Sequence, residues 1–75
     1  MHDNVHYKIG DVIRYNAFGG CGRTVLVNDK DDVIKNGRPG FSGQLVDSDL
    51  KPIPREDGSG VWGYDAQIIS VVRRG

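Results

Sequence analysis

The chain has 75 residues, of which 37% are hydrophobic and 27% are charged, a composition typical of one small globular domain and not of a disordered segment. Ten lysines and arginines balance ten aspartates and glutamates, so no net charge attracts nucleic acid. No apolar run approaches the roughly 20 residues of a membrane-spanning helix, and no leader-like segment opens the chain. The single cysteine cannot form an internal disulfide, so we expect one soluble, cytoplasmic domain over residues 1–75, with residues 1–6 as a flexible terminus.

The first half of the chain alternates in the manner of β-strands. Residues 7–15 are predicted to form a half-buried strand with one apolar face, made of Tyr7, Ile9, Ile13 and Tyr15. A loop over residues 16–22 is predicted next, because this stretch contains three glycines. Residues 23–28 are predicted as the second strand, and residues 28–32, which carry three aspartates, as a solvated turn.

A hairpin is predicted around Asn36 and Gly37, since both residue types tolerate the positive φ angles of a tight reversal. Residues 33–34 would extend the strand pairing before it. The third strand is expected over residues 41–47, and Gly43 in its middle predicts a bulge or a bend.

The second half contains one long connection and three short elements. Residues 47–59 hold two prolines and show no apolar period, which predicts an exposed, mobile connection that Leu50 and Ile53 pin loosely to the sheet. The remaining elements are a fourth strand, a single tight turn and a closing strand, over residues 60–64, 65–67 and 68–73. The sequence therefore predicts an all-β domain of five strands with no helix longer than one turn.

The order of these parts resembles that of the SH3-like small barrels, including KOW-type and Tudor-type modules. The resemblance rests on the segment from Tyr7 to Ile13 and on the segment from Tyr64 to Ile68, which leads into a valine-rich final strand. It implies a five-stranded SH3-like small barrel with a short 3-10 turn before the last strand. Such folds serve protein, peptide and nucleic-acid partners alike, so the resemblance does not assign a function.

Two further segments resemble small uncharacterised proteins of bacteriophages, particularly phages of actinobacteria. They are KNGRPGFSG, residues 35–43, and VWGYDAQI, residues 61–68. This resemblance implies a phage origin, and hence the cytoplasm of a host cell, without implying a chemistry.

The chain offers few residues suited to catalysis or metal binding. Cys21 lies in the glycine-rich loop, but the two histidines, His2 and His6, belong to the terminal segment, so no base is predicted beside the thiol. His2, Asp3 and His6 would offer a metal three ligands close to a chain end, which is a weak site. We therefore predict no enzyme, no catalytic residue, no bound metal and no cofactor.

Anion binding is the first candidate chemistry for a binding site. The backbone N–H groups of Gly20 and Gly22 could form a concave nest, with Arg23 supplying a bidentate fork for a phosphate or carboxylate. Arg38 lies on a second turn, and if the two loops meet, Arg23 and Arg38 would clamp one anion. A plain hairpin loop is the alternative for residues 19–22.

Aromatic anchoring is the second candidate. A domain this small needs most of its aromatic residues inside. Phe18 is expected to be exposed, because it lies beside the glycine-rich loop with no alternation to bury it, and it would suit a partner's pocket or a stacked base. Trp62 and Tyr64 share one face of the fourth predicted strand, and a surface role for one of them is the alternative to a core position for both.

Three functions remain open on these residues, and none of them involves a membrane. The leading hypothesis is a non-enzymatic binding protein, of phage origin, that engages a host or phage protein through one face or loop end of the barrel. The second is an oligomer that sequesters a phosphorylated small molecule, such as a nucleotide signal, through Arg23, Arg38 and the glycine backbone, since one barrel has little room for a pocket. The third is nucleic-acid binding, which requires four basic residues to gather on one surface: Lys8, Arg14, Arg73 and Arg74.

Overall fold

The computed structural model describes residues 6–17 and 20–75, which form one antiparallel sheet. Its five strands, in chain order, are β1 (Val12–Asn16), β2 (Gly22–Lys35), β3 (Arg38–Leu45), β4 (Gly60–Tyr64) and β5 (Ile68–Arg73). Two 3-10 turns, η1 (Arg55–Asp57) and η2 (Asp65–Gln67), are the helical elements of the described residues. The all-β prediction is confirmed, as is the short 3-10 turn before the last strand.

The strands follow the order β4-β3-β2-β1-β5 across the sheet. The long strand β2 holds the sheet together, because its first residues pair with β1 and the rest pair with β3. The end strands β4 and β5 do not pair with each other, so the sheet is open. Closure into an SH3-like barrel stays a prediction.

One side of the sheet carries the hydrophobic core. Phe41 is fully buried, and the rings of Tyr7 and Tyr15 meet it edge-on with centroid distances of 6.0 and 5.1 Å. The Tyr7 hydroxyl also donates a hydrogen bond to the Asp65 carboxylate, which ties η2 to the segment before β1. Each large apolar side chain buried in this way contributes roughly 1.5–3 kcal/mol to stability. The other buried members of the cluster are Ile13, Ala17, Val25, Val27 and Ile68.

The first strand is shorter than predicted. β1 begins at Val12, because Gly10, with φ at +96°, turns the chain and donates its N–H to the carbonyl oxygen of Val27. Residues 7–11 therefore precede the sheet. Ile9 was expected on the buried face and is instead 59% exposed, whereas Val12 is buried.

The turn predicted over residues 28–32 is wrong, because β2 runs through this stretch and ends at Lys35. Two β-bulges accommodate the polar residues within the strand. Its pairing with β3 shifts between Val27 and Asp29, and again between Asp31 and Lys35. The three aspartates of this stretch are exposed, as expected for the solvated end of a hairpin.

The predicted reversal at Asn36 and Gly37 is confirmed, with φ angles of 56° and 72°. Lys35 and Arg38 face each other across it, as a two-residue turn requires. β3 consequently begins earlier than predicted. The irregularity expected at Gly43 lies in the opposite strand, since Gly43 faces the first bulge of β2.

The connection over residues 47–59 is mostly exposed, with Leu50 and Ile53 half-buried. It is also tied to the sheet by hydrogen bonds, since Ile53 donates its N–H to the Leu45 carbonyl oxygen at 2.8 Å. Ser59 is buried and donates its hydroxyl to the carbonyl oxygen of Ile53 at 2.7 Å. After this connection, β4, η2 and β5 begin and end where the sequence predicts.

Candidate functional site

Two aromatic side chains of β4 form the centre of the candidate site. Trp62 and Tyr64 share one side of the strand because side chains alternate along it, while Val61 and Gly63 take the core side. The two rings meet edge-on with a centroid distance of 5.4 Å. Tyr64 is buried and Trp62 is half-buried.

Two cations of the β2–β3 hairpin lie over these rings. The Nζ atom of Lys35 is 5.1 Å from the centroid of the Trp62 ring, and the Cζ atom of Arg38 is 4.6 Å from that of Tyr64. The Asn36 side-chain amide donates a hydrogen bond of 2.9 Å to the Tyr64 hydroxyl. A cation stacked on an aromatic ring at an exposed site gains about 0.5–1 kcal/mol, so these contacts restrict where both cations can lie.

A third cation lines a shallow groove beside Trp62. The groove has a volume of about 250 Å³, and its lining residues are Tyr15, Ala17, Arg23, Gly60, Val61 and Trp62. Arg23 pairs in register with Tyr15 across β1 and β2. Burial raises the pKa of the Tyr15 hydroxyl, and the Arg23 guanidinium beside it opposes that rise. The groove therefore combines apolar walls with a guanidinium close to a phenol.

Together, five side chains define what we call the aromatic–cation surface: Arg23, Lys35, Arg38, Trp62 and Tyr64. None of its three cations forms an ion pair with a described residue. Within residues 6–17 and 20–75, the ion pair that does occur joins Arg74 to Asp11 at 3.1 Å. The surface therefore presents positive charge on a chain whose net charge is zero.

Four residues predicted from the sequence meet on this surface. Arg38 stacks on Tyr64, Tyr64 contacts Trp62, and Trp62 lines the groove together with Arg23. Arg38 thus lies over the Tyr64 ring, and Arg23 shares the lining of the groove with Trp62.

The described residues of the glycine-rich loop before β2 are joined by backbone hydrogen bonds. Gly20, with φ at +84°, donates its N–H to the Ala17 carbonyl oxygen at 3.0 Å. Gly22 is exposed and lies close to Arg14, because a Cβ built at Gly22 would be 2.7 Å from a guanidinium nitrogen. The predicted anion nest would therefore rest on Gly22, since the Gly20 N–H is already engaged. Phe18, predicted as an exposed anchor, lies outside the described residues.

Two of the four basic residues of the nucleic-acid hypothesis, Arg73 and Arg74, donate hydrogen bonds within the chain. Arg74 donates hydrogen bonds of 3.1 Å to the Asp11 carboxylate and to the His6 carbonyl oxygen. Arg73 donates one of 3.2 Å to the carbonyl oxygen of Leu50. Both arginines thus connect distant segments of the chain, which supplies no observation in favour of a nucleic-acid site.

The sequence did not predict Lys35, Asn36 and most of the groove-lining residues as site residues. A signal for Lys35 existed, because a two-residue Asn-Gly turn places its flanking residues opposite each other and Lys35 must then face Arg38. Asn36 was identified as a turn residue but not as a partner of Tyr64. The groove had no local signal, because its walls come from strands that only the fold brings together.

Comparisons with known proteins supply no assignment. No family model, curated protein or solved structure matches the chain. Among the described residues, no helix has the length and hydropathy needed to cross a membrane, and no group of three or more histidine, cysteine, aspartate or glutamate side chains is placed to hold a metal ion. Cys21 is exposed.

Proposed function

We propose that this chain is a non-enzymatic binding protein that engages a protein partner through the aromatic–cation surface. The observation that carries the proposal is the groove of about 250 Å³ that Arg23 and the half-buried Trp62 both line. Tryptophan and arginine are enriched at the energetic centres of protein interfaces, because both combine a large contact area with directed polar groups.

The size of the groove favours a protein partner over a free small molecule. Pockets that enclose drug-sized ligands usually measure about 300–1,000 Å³, whereas this groove measures about 250 Å³. It suits a single anchoring side chain, because its lining includes the apolar residues Val61 and Ala17. A larger partner would place one residue in the groove and cover β4 and the hairpin with the rest of its interface.

The two segments that resemble bacteriophage proteins supply four of the five members of the surface. Residues 35–43 contain Lys35 and Arg38, and residues 61–68 contain Trp62 and Tyr64. We accordingly propose a host or phage protein as the partner, and an actinobacterial cell lysate as the source in which to look for it.

Filling the groove tests this proposal without removing any side chain. Gly60 lines the groove, and a Cβ built there meets no atom within 4 Å, so we expect Gly60→Leu to add bulk at the groove without a clash at its Cβ. Affinity capture from lysate should recover a protein with the wild-type chain. The amount of that protein recovered should fall about tenfold or more with Gly60→Leu, as expected for a blocked anchor site. Ser48→Leu is the matched control, because Ser48 is exposed in the loop after β3.

Thermal unfolding of both variants establishes that they are folded before capture is compared. A protein captured equally well by all three chains would contradict the groove as the binding site. Capture of no specific protein by the wild-type chain would contradict protein binding itself.

A phosphorylated small molecule is the second candidate ligand. Arg23 and Arg38 favour it, because guanidinium groups bind phosphate in a bidentate manner and neither group forms an ion pair with a described residue. Given the small groove, such a ligand would need a site built between copies of the chain. Native mass spectrometry separates the candidates, since a bare monomer favours the protein partner and an oligomer with added ligand mass favours sequestration.

A further inference from the structure

The three cations of the aromatic–cation surface determine what kind of partner can cover it. Arg23, Lys35 and Arg38 form no ion pair with a described residue. A partner that buries them without supplying opposite charge must pay for their lost hydration, whereas a partner with carboxylates offsets that loss through charge-assisted hydrogen bonds. The surface is therefore complementary to negative charge.

Asp29 and Asp31 limit where that negative charge can lie. By register across β3 they share a side of the sheet with Trp62 and Tyr64. They are two strand spacings away, which is about 10 Å and close to the screening length at physiological salt. An anionic segment is therefore repelled from β2 and is best placed along β4 and the hairpin turn.

The two hairpin cations are also restricted in position before a partner arrives. Lys35 and Arg38 face each other across a two-residue turn, and each lies over an aromatic ring. Arg23 pairs in register with Tyr15 and lines the groove with it. Side chains that are already restricted lose less conformational freedom when they bind, which favours pairing at these positions over pairing at a free surface lysine.

We propose that the partner presents an acidic segment to this surface, an inference that rests on the protein-binding role proposed above. An apolar side chain of the segment fills the groove beside Trp62, and a neighbouring carboxylate pairs with Arg23. Further carboxylates pair with Lys35 and Arg38.

Selection of a random linear peptide library on the immobilised wild-type chain supplies the probes for a test. The enriched peptides are expected to carry net negative charge next to an aromatic or aliphatic residue. Replacing the hairpin cations, Lys35→Gln with Arg38→Gln, should raise the Kd of such peptides about tenfold or more, because two charge-assisted contacts are lost. The matched control, Lys51→Gln with Arg55→Gln, removes the same charge from exposed positions of the 47–59 connection and should change the Kd by no more than about twofold.

The outcomes separate this inference from the protein-binding role. Enriched peptides that are neutral or basic, and that lose affinity with Gly60→Leu, would overturn the acidic segment and leave the protein-binding role intact. The absence of enriched peptides would overturn a linear acidic segment as the partner, while capture from lysate tests protein binding separately. Tighter binding of a single-stranded oligothymidine than of any selected peptide would assign the surface to nucleic acid instead.

Discussion

Gly43 occupies a position where backbone of the opposite strand fills the space of a side chain. A Cβ built there would lie 2.1 Å from the carbonyl oxygen of Leu26 and 2.7 Å from a methyl carbon of Val25, both in β2. Gly43→Ala is expected to lower the free energy of unfolding by about 1–3 kcal/mol, as overpacking of a tight contact does. The carbonyl group cannot move aside without disturbing the pairing of β2 with β3, on which the position of the hairpin cations depends.

Gly60→Ala is the matched control for this substitution. A Cβ at Gly60 meets no atom within 4 Å, so the alanine restricts the unfolded chain without straining the folded one, and stability should rise by up to about 1 kcal/mol. The two substitutions should therefore move the midpoint of urea denaturation in opposite directions. An unchanged midpoint for Gly43→Ala would mean that β2 and β3 can separate there at no cost.

The hairpin turn between β2 and β3 positions half of the candidate site. Asn36 has a φ of 56°, and its amide donates a hydrogen bond to the Tyr64 hydroxyl. Asn36→Gly retains a residue suited to this φ and removes the hydrogen bond, which should cost about 0.5–1.5 kcal/mol. Asn36→Ala also strains the backbone and should cost about 1–2 kcal/mol more, as measured by thermal unfolding. Equal losses in the two variants would contradict a role for the turn conformation.

The elements predicted correctly are those with a signal in their own residues. The Asn36–Gly37 reversal follows from two residue types that accept positive φ, and β4 follows from alternation around Trp62. β2 was divided wrongly, because aspartates at residues 29, 31 and 32 are typical of turns. The strand continues because its pairing with β3 tolerates two bulges. This tolerance depends on contacts between strands, which a local sequence pattern does not contain.

The candidate site likewise contains residues with a signal in their own sequence and residues that only the fold brings together. Arg38 and Tyr64 could be predicted as site residues from the turn and from strand alternation, and the fold brings them together. The pairing of Arg23 with Tyr15 depends on the register of β1 and β2, and the meeting of both with Val61 depends on the arrangement of the whole sheet. No local pattern in the chain encodes either relation.

Asp11 connects three parts of the molecule that are far apart in sequence. Its carboxylate accepts hydrogen bonds from the N–H groups of Lys8 at 3.0 Å and Gly75 at 2.8 Å, and from the Arg74 guanidinium at 3.1 Å. Its carbonyl oxygen accepts the N–H of Val27 in β2 at 2.9 Å. The buried Asp11 side chain therefore fastens the residues that follow β5 to the segment that precedes β1.

This role predicts how the stability of the whole fold depends on pH. Hydrogen bonds, first that from Gly75, hold the pKa of the Asp11 carboxyl below its ordinary value of 3.8, against the opposing effect of burial. Because the pKa is lower in the folded chain than in the unfolded one, the carboxylate contributes stability that is present above about pH 4 and is lost as the pH falls through the folded value. Asp11→Asn should therefore be less stable than wild type at neutral pH, and its free energy of unfolding in urea should fall less steeply below about pH 4. Asp57→Asn, at an exposed position of η1, should follow the wild-type slope, and identical slopes for wild type and Asp11→Asn would show that Asp11 does not couple protonation to folding.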